Sequence, residues 1–274
     1  MLRATSGPRD RLLSAPGTPG ADCIVLDGVT KRFDAMAWPA LDEVSLSIPQ
    51  GQFFTVIGPS GAGKSTLLRV LAGISRPDSG RVSVFGEPPE QASRAKHLGW
   101  VPQSPALLPW RSVIDNVRLP LQVNRGAKCE ARDPEELLAR LNLSHARDML
   151  PAHLSGGMRQ RVAIARAFAF RPRLLLMDEP FGALDEMTRE HVAHLLLELW
   201  QAEKPTVIFV THSVGEAVLL SDAVAVIGRG RLSPSVGIDL GRPRPEGIED
   251  SQGFHQLTAS LRAQLRRAFS DAGG

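Results

Sequence analysis

A glycine-rich segment between a strand-like run and a helix-like run constrains the fold more than any other feature of this sequence. Residues 53–57, FFTVI, form a continuous apolar run, which is typical of a strand buried on both faces. Residues 58–66, GPSGAGKST, fit the pattern G-x4-G-K-[ST], and residues 66–72 have apolar positions at helical spacing. A strand, a tight loop and a helix in this order place backbone N–H groups where they can surround a phosphate group.

The glycine-rich loop predicts contacts to a nucleoside triphosphate. Its glycines allow a close backbone approach, Lys64 would reach the β- and γ-phosphates, and the Ser65 hydroxyl would be a ligand of Mg²⁺. The loop residues expected to contact the nucleotide are Gly58, Pro59, Ser60, Gly61, Ala62, Gly63, Lys64, Ser65 and Thr66. A glycine loop without a ligand is the alternative, and the loop alone leaves many classes of nucleotide hydrolase open.

Buried strands alternate with helices along much of the chain, which indicates an α/β fold with a mainly parallel core sheet. The elements predicted in this alternating region are strands at 174–177, 206–210 and 223–227 and helices at 159–170 and 188–201. Earlier strands at 24–26, 44–48 and 81–85 indicate an antiparallel sheet beside the core.

Three further stretches have weaker patterns. Residues 90–150 are predicted to be mainly helical, with breaks at Pro102, Pro105, Pro109 and Pro120. Residues 231–249 are predicted to be loop, and residues 255–269 one amphipathic helix.

Composition excludes several classes of protein. Lys and Arg total 32 against 29 for Asp and Glu, and a net charge of +3 indicates no nucleic-acid-binding surface. Cys23 and Cys129 lie far apart without a CxxC pair, so neither a disulfide framework nor a zinc site is predicted. We expect that the chain neither crosses nor enters a membrane by itself, because its apolar runs are strand-length and its start lacks the apolar core of a signal peptide.

A second motif ends in two carboxylates. Residues 174–179 read LLLMDE, a buried strand followed by acidic side chains. Asp178 would hold Mg²⁺, and Glu179 would orient or deprotonate an attacking water as a general base. A solvated acidic pair at a strand end is the alternative.

The third motif is LSGGMRQR at residues 154–161, immediately before a predicted helix. A Ser-Gly-Gly sequence alone is a common turn with a helix cap. Together with the two motifs above, however, it resembles the nucleotide-binding subunits of ATP-binding-cassette (ABC) transporters, whose signature loop reads LSGGQ. The resemblance covers roughly residues 23–230.

The resemblance implies a P-loop ATPase fold with a mainly parallel core sheet, an antiparallel β subdomain and a helical signature subdomain. We expect a disordered tail at 1–22, an ATPase domain at 23–245 with its helical subdomain at about 104–170, and a C-terminal extension at 246–274 that forms one helix.

Family roles carry over to particular residues. Phe33 matches the aromatic side chain that stacks on adenine, although a buried core position is its alternative, and Gln103 matches the glutamine that touches Mg²⁺ and the attacking water. Asp185 matches the loop that connects two nucleotide sites across a dimer. His212 matches the switch histidine that bonds the γ-phosphate.

The signature loop departs from the family pattern at one position. Ser155, Gly156 and Gly157 match it, whereas Met158 replaces its glutamine. Since the phosphate contacts would come from Ser155 and the Gly157 N–H, we expect binding to survive, with altered positioning around the sugar.

The resemblance also implies partners: ATP and Mg²⁺ at the site, a second copy or similar cassette to complete it, a separate membrane permease, an indirectly coupled extracytoplasmic solute-binding protein, and no nucleic acid. The chain would lie peripherally on the cytoplasmic face of the inner membrane. Residues 107–117, which contain Trp110, look like the nitrate, sulfonate and taurine importers; packing of Trp110 inside the helical subdomain is the alternative.

Other functions fit the sequence less well. A soluble cassette ATPase of translation or DNA repair usually has two cassettes or a long coiled coil, and neither pattern occurs here. A GTPase needs an Asn-Lys-x-Asp motif, but no lysine follows an asparagine. A non-hydrolysing regulatory cassette is disfavoured because Lys64, Ser155, Glu179 and His212 are all present.

Overall fold

The computed structural model describes residues 22–35, 38–124 and 130–270. Residues 1–21 of the predicted tail and Cys129 lie outside the described residues. Asp22, which the sequence assigned to the tail, is the first residue of a strand.

The strands in chain order are β1 (Asp22–Lys31), β2 (Leu41–Pro49), β3 (Phe53–Ile57), β4 (Ser79–Val84), β5 (Leu98–Val101), β6 (Leu174–Asp178), β7 (Thr206–Thr211), β8 (Ala223–Gly228), β9 (Arg231–Leu232) and β10 (Val236–Gly237). The α-helices are α1 (Lys64–Leu71), α2 (Pro89–Arg94), α3 (Val113–Val123), α4 (Pro134–Arg140), α5 (Gly156–Phe168), α6 (Glu186–Glu203), α7 (Val214–Leu220) and α8 (Gln252–Ser270).

The central sheet has the strand order β10-β8-β3-β7-β6-β5, with β9 paired to β8. Strands β3, β5, β6, β7 and β8 run parallel to one another, and β9 and β10 run antiparallel to β8. Every residue of β3 is buried. The predicted mainly parallel α/β core is therefore confirmed.

Two apolar layers cover the central sheet, and the alternation of side chains along β3 separates them. Phe53 and Ile57 point into a core shared with the helices α3 to α8. Phe54 and Val56 point into a second core, built with α1 and the antiparallel sheet. Side chains on both faces of β3 are buried in apolar cores, which explains why its sequence is apolar without alternation.

The antiparallel sheet predicted beside the core is also confirmed. Its strand order is β2-β1-β4, and β1 pairs antiparallel with both neighbours, for example Leu26 with Leu46 and with Val82.

The sequence predictions were wrong in three places. Residues 90–150 are not helical throughout, because Leu98–Val101 forms the edge strand β5 beside β6. Pro120 does not interrupt α3 but lies inside it, close to the helix end at Val123. The stretch 231–249 contains the short strands β9 and β10 besides loop.

The helix predicted for 255–269 is present as α8, which buries Phe254 and Leu261 against the main core. The segment that precedes α8 is hydrogen-bonded to the C-terminal end of α7. Arg244 donates to the carbonyl oxygens of Val218 (2.8 Å) and Ser221 (2.5 Å), where a helix leaves carbonyl groups unpaired. Among the described helices, none is both long enough and apolar enough to cross a membrane.

Candidate active site

The glycine-rich loop, the acidic pair and His212 lie at one edge of the central sheet. The glycine-rich loop follows β3, Asp178 and Glu179 come at the end of β6, and His212 follows β7. These three strands are parallel neighbours, and the carboxyl ends of parallel strands form the crevice where α/β proteins bind ligands.

The loop between β3 and α1 leaves the start of α1 open. Gly63 is the N-cap of α1 with φ 108° and, as a glycine, has no side chain that could accept a hydrogen bond from the first turn of this helix. A Cβ added at Gly63 would lie 2.0 Å from the Ala40 carbonyl oxygen, so only glycine fits there. Uncapped N–H groups and a positive helix end together suit an anionic phosphate.

Lys64 is buried at the centre of the loop, with only 4% of its surface exposed. Its ammonium group donates to the carbonyl oxygens of Gly58 (2.9 Å) and Pro59 (3.0 Å) and forms an ion pair with Glu179 Oε1 (3.1 Å). The loop therefore holds a desolvated positive charge next to the open helix end.

Ser65 and Asp178 form an oxygen pair beside Lys64. The Ser65 hydroxyl donates to Asp178 Oδ1 at 3.0 Å. Burial raises the pKa of Asp178, the Ser65 hydrogen bond opposes that shift, and the nearby Glu179 charge adds to it. A hydroxyl and a carboxylate fit Mg²⁺, which uses one or two protein oxygens together with phosphate oxygens.

Glu179 lies between two strand ends. Its Oε2 lies 3.2 Å from His212 Nδ1 while its other oxygen faces Lys64, and its backbone N–H donates to the Val210 carbonyl oxygen at 2.8 Å. Burial acts to raise the pKa of Glu179, but the hydrogen bond and charge of Lys64, with a contribution from His212, hold it below its usual value. Its φ of 42° is unusual for a residue with a side chain, and such outliers concentrate at functional sites.

The signature loop, residues 154–158, begins α5. Ser155 is the N-cap and accepts from the Met158 N–H at 3.2 Å, and Gly156 and Gly157 form the first turn. In the same way Asp185 caps α6 by accepting from the Thr188 N–H at 3.0 Å.

Two sequence-predicted residues stand apart from this cluster. Phe33 is 39% exposed, so it is not a core residue, and the Lys31 ammonium lies 5.5 Å from the centre of its ring. Gln103 is exposed just beyond β5. Within the described part of the chain, no hydrogen bond joins Gln103 to Ser65 or Asp178, and none joins Ser155 to the glycine-rich loop.

Sequence reasoning missed two charged residues behind the site. Glu216 on α7 and Arg189 on α6 form an ion pair of 3.4 Å. The sequence did contain one indication of Glu216, because it is the sole charged residue within the otherwise apolar stretch VGEAVLL.

The comparisons with known proteins identify the family of this chain. The family model described as ABC transporter matches residues 41–182, which contain the glycine-rich loop, the signature loop and the acidic pair. The chain belongs to the ABC transporter family as an ATP-binding cassette.

The curated relatives include import proteins of bacteria. The chain is 42% identical over 228 residues to the aliphatic sulfonates import ATP-binding protein SsuB 1 of Mesorhizobium japonicum, covering 83% of this chain and 84% of that one. It is 46% identical over 207 residues to the aliphatic sulfonates import ATP-binding protein SsuB of Rhodopseudomonas palustris, covering 76% and 72%.

Solved cassettes have the same fold. A dimeric post-hydrolysis state of an ATP-binding cassette bound to ADP and Pi aligns with a TM-score of 0.69 and 31% identity, over 80% of this chain and 100% of that one.

Proposed function

We propose that this chain is the ATP-hydrolysing subunit that drives a separate membrane permease, and that the imported solute is an aliphatic sulfonate. The shared carboxylate of Glu179, held between Lys64 and His212, is the observation that carries the hydrolytic part of this proposal. The solute class rests on the import proteins to which the chain is similar over most of its length.

The residues at this edge of the sheet have separate roles in hydrolysis. The glycine-rich loop and Lys64 bind the phosphates of ATP, while Phe33 offers a ring face to adenine. Ser65 and Asp178, with Gln103, would hold Mg²⁺, which would neutralise phosphate charge. Glu179 orients the attacking water and accepts its proton, and His212 donates a hydrogen bond to the γ-phosphate.

The ion pair between Lys64 and Glu179 imposes an order on this mechanism. A carboxylate that accepts a bond from an ammonium group is a weak base, as the lowered pKa of Glu179 expresses. When phosphate oxygens bind the Lys64 ammonium group, Glu179 loses its ion-pair partner. Its carboxylate then becomes a stronger base. Substrate binding thus activates the base.

A second copy of the chain completes the site. Ser155 and the Gly157 N–H contact the nucleotide held by the partner's glycine-rich loop, and Asp185 lies where the two sites connect. Among the described residues, no hydrogen bond joins Ser155 to the glycine-rich loop of its own chain, which supports this arrangement. It is also supported by the dimeric state of the solved cassette.

The turn that carries Trp110 is proposed as the permease contact. Trp110 is 72% exposed. The buried Asn116 side chain holds this turn by accepting from the Leu108 N–H at 2.8 Å and donating to the Arg111 carbonyl oxygen at 3.0 Å. A rigid backbone therefore presents an indole to the surface, as a docking anchor requires.

This contact would place the chain peripherally on the cytoplasmic face of the inner membrane. A solute-binding protein outside the membrane would deliver the solute to the permease. No nucleic-acid partner is proposed, in keeping with the small net charge.

Co-purification with the membrane fraction tests the transport function. The tagged chain should retain a multi-span permease after detergent extraction, and Trp110→Ala should lose it while binding ATP normally. Val123→Ala is the matched control, because Val123 is a second exposed apolar side chain, at the end of α3. Recovery of ribosomes or DNA without a membrane protein would refute transport.

ATP turnover of the reconstituted complex tests the solute. With the purified binding protein present, an alkanesulfonate should stimulate turnover, whereas nitrate should not. Stimulation by nitrate alone would refute the sulfonate assignment and leave the ATPase role intact.

A further inference from the structure

A buried carboxylate lies directly behind His212. Glu216 is 8% exposed, and it lies in the first turn of α7 among apolar neighbours. Burial raises the pKa of Glu216, opposed by the hydrogen bond from Thr211 and the charge of Arg189. The first turn of a helix favours an acidic residue, but the Glu216 side chain is turned to Thr211 and Arg189 and does not accept from the N-cap N–H of Ser213, which bonds Thr211 instead.

On one side Glu216 fixes the turn that carries His212. The Thr211 hydroxyl donates to Glu216 Oε2 at 2.6 Å and accepts from the Ser213 N–H at 3.0 Å. The Glu216 N–H donates in turn to the Ser213 hydroxyl at 3.3 Å. The two residues that flank His212 are therefore both tied to Glu216.

On the other side Glu216 reaches the loop that ends at Asp185. Its Oε1 forms an ion pair of 3.4 Å with Arg189 on α6, and Arg189 donates to the Leu184 carbonyl oxygen at 2.9 Å. Leu184 directly precedes Asp185, the N-cap of α6. One carboxylate group thus bridges the His212 turn and the Asp185 loop.

The same two segments also meet at the surface of the site. A Cβ added at Gly182 would lie 3.9 Å from His212 Cε1 and 3.5 Å from the Glu179 carbonyl oxygen. The loop before Asp185 therefore lies beside the histidine ring, while Glu216 and Arg189 connect the two segments on the other side.

We infer that Glu216 is a positioning residue that sets His212 relative to the Asp185 loop, so that displacement of that loop by a partner subunit moves His212. This inference rests on the proposed roles of His212 and Asp185. Arg189 transmits the displacement, because its guanidinium group donates a hydrogen bond to the Leu184 carbonyl oxygen and forms an ion pair, which is not a hydrogen bond, with the Glu216 carboxylate. The γ-phosphate contact in one site would then depend on the position of the partner at the dimer interface.

Steady-state ATP hydrolysis by the full chain with Glu216→Gln tests the inference. Glutamine keeps the size of the side chain and an oxygen that accepts from Thr211, but it loses the charge that holds Arg189. We expect kcat to fall about tenfold with a KM for ATP within about twofold of the original, because small displacements of a catalytic group are costly to turnover. Glu190→Gln is the control. It makes the same substitution and removes the same charge at an exposed carboxylate outside this network.

The effect must also depend on His212. In a His212→Ala background, Glu216→Gln should cause no further loss of turnover, because residues that act through one another are not additive. An equal tenfold loss in both backgrounds would overturn the inference, as would a kcat of Glu216→Gln equal to that of Glu190→Gln. Normal turnover by His212→Ala alone would instead refute the proposed function of His212.

A second variant tests the same contact in case Glu216→Gln fails to fold. Arg189→Met breaks the same bridge from the half-buried partner and leaves the Thr211 bond in place. It should reproduce the loss in kcat with unchanged nucleotide binding. If Arg189→Met folds and turns over ATP normally, Glu216 does not act through the Asp185 loop.

Discussion

The packing of Gly157 against α6 gives a prediction whose magnitude follows from the structure. Gly157 is buried in the first turn of α5, and a Cβ added there would lie 2.3 Å from Thr188 Cγ2. Ordinary contact begins near 3.4 Å, so the threonine methyl group or the signature loop would have to shift by about 1 Å. Gly157→Ala should therefore disturb the contact between the signature loop and the Asp185 loop.

Two terms set the expected loss of stability. Forcing a methyl group into a packed contact costs about 1–3 kcal/mol, while replacing glycine in a helix returns about 0.4–1 kcal/mol by restricting the unfolded chain. The free energy of unfolding should fall by about 1–2 kcal/mol, which for a chain of this size lowers the Tm by about 2–4 °C. Thermal and urea unfolding without nucleotide would measure both quantities.

The neighbouring glycine supplies the control. A Cβ added at Gly156 would lie 3.8 Å from Leu184 Cδ2, an ordinary contact, so Gly156→Ala should leave stability unchanged or raise it slightly. Thr188→Ser removes the obstructing methyl group and should restore the stability of Gly157→Ala. Equal behaviour of the two glycine variants, or a failure of Thr188→Ser to rescue, would refute the packing argument.

Three further predictions concern the site. Glu179→Gln should lower ATP turnover by about 10²-fold or more while keeping ATP binding and stabilising a dimer on size-exclusion chromatography; hydrolysis at the normal rate would contradict the general-base role. Ser155→Ala should cost about 1 kcal/mol of stability through the lost cap and reduce turnover, with ATP affinity of the monomer intact; a parallel loss of affinity would contradict a role across the dimer. The backbone hydrogen bond from Thr188 holds the pKa of Asp185 below its usual value of 3.8. The charged Asp185 side chain therefore stabilises the fold above pH 3.8, and this stabilisation is lost as the pH falls through the lower pKa of the folded state. Asp185→Asn should accordingly lose less stability than the original chain on acid titration below about pH 4, and identical titrations would show that the cap charge does not matter.

The elements that could be predicted from sequence are those with a strong local pattern. The apolar runs of β3, β6 and β7 are followed by the glycine-rich loop, the acidic pair and His212, respectively, so both strand type and site position followed from short stretches. Strand β5 gave no such signal, because LGWV is short and lies between helix-like segments, and its pairing with β6 decides its conformation. Pro120 removes one backbone donor from α3, yet the helix continues to Val123, so this proline did not mark the helix end.

The contacts behind the site could not be predicted in the same way. Glu216 and Arg189 lie on different helices, and only the packing of α6 and α7 brings them together. The contact of Gly157 with Thr188 likewise depends on how α5 meets α6. Sequence motifs identify groups that face a ligand, whereas groups that hold those groups in place emerge from tertiary packing.

The cap of α5 has a chemical consequence for the outer surface of the signature loop. A hydroxyl group has one hydrogen and two lone pairs, and the bond from the Met158 N–H uses only a lone pair of Ser155 Oγ. Within the described part of the chain, no acceptor takes the hydroxyl hydrogen of this exposed serine. Aspartate would cap the helix equally well, but it would present only lone pairs and a negative charge. With serine, the atom that starts the helix inside the subunit can still donate a hydrogen bond outward to an anion.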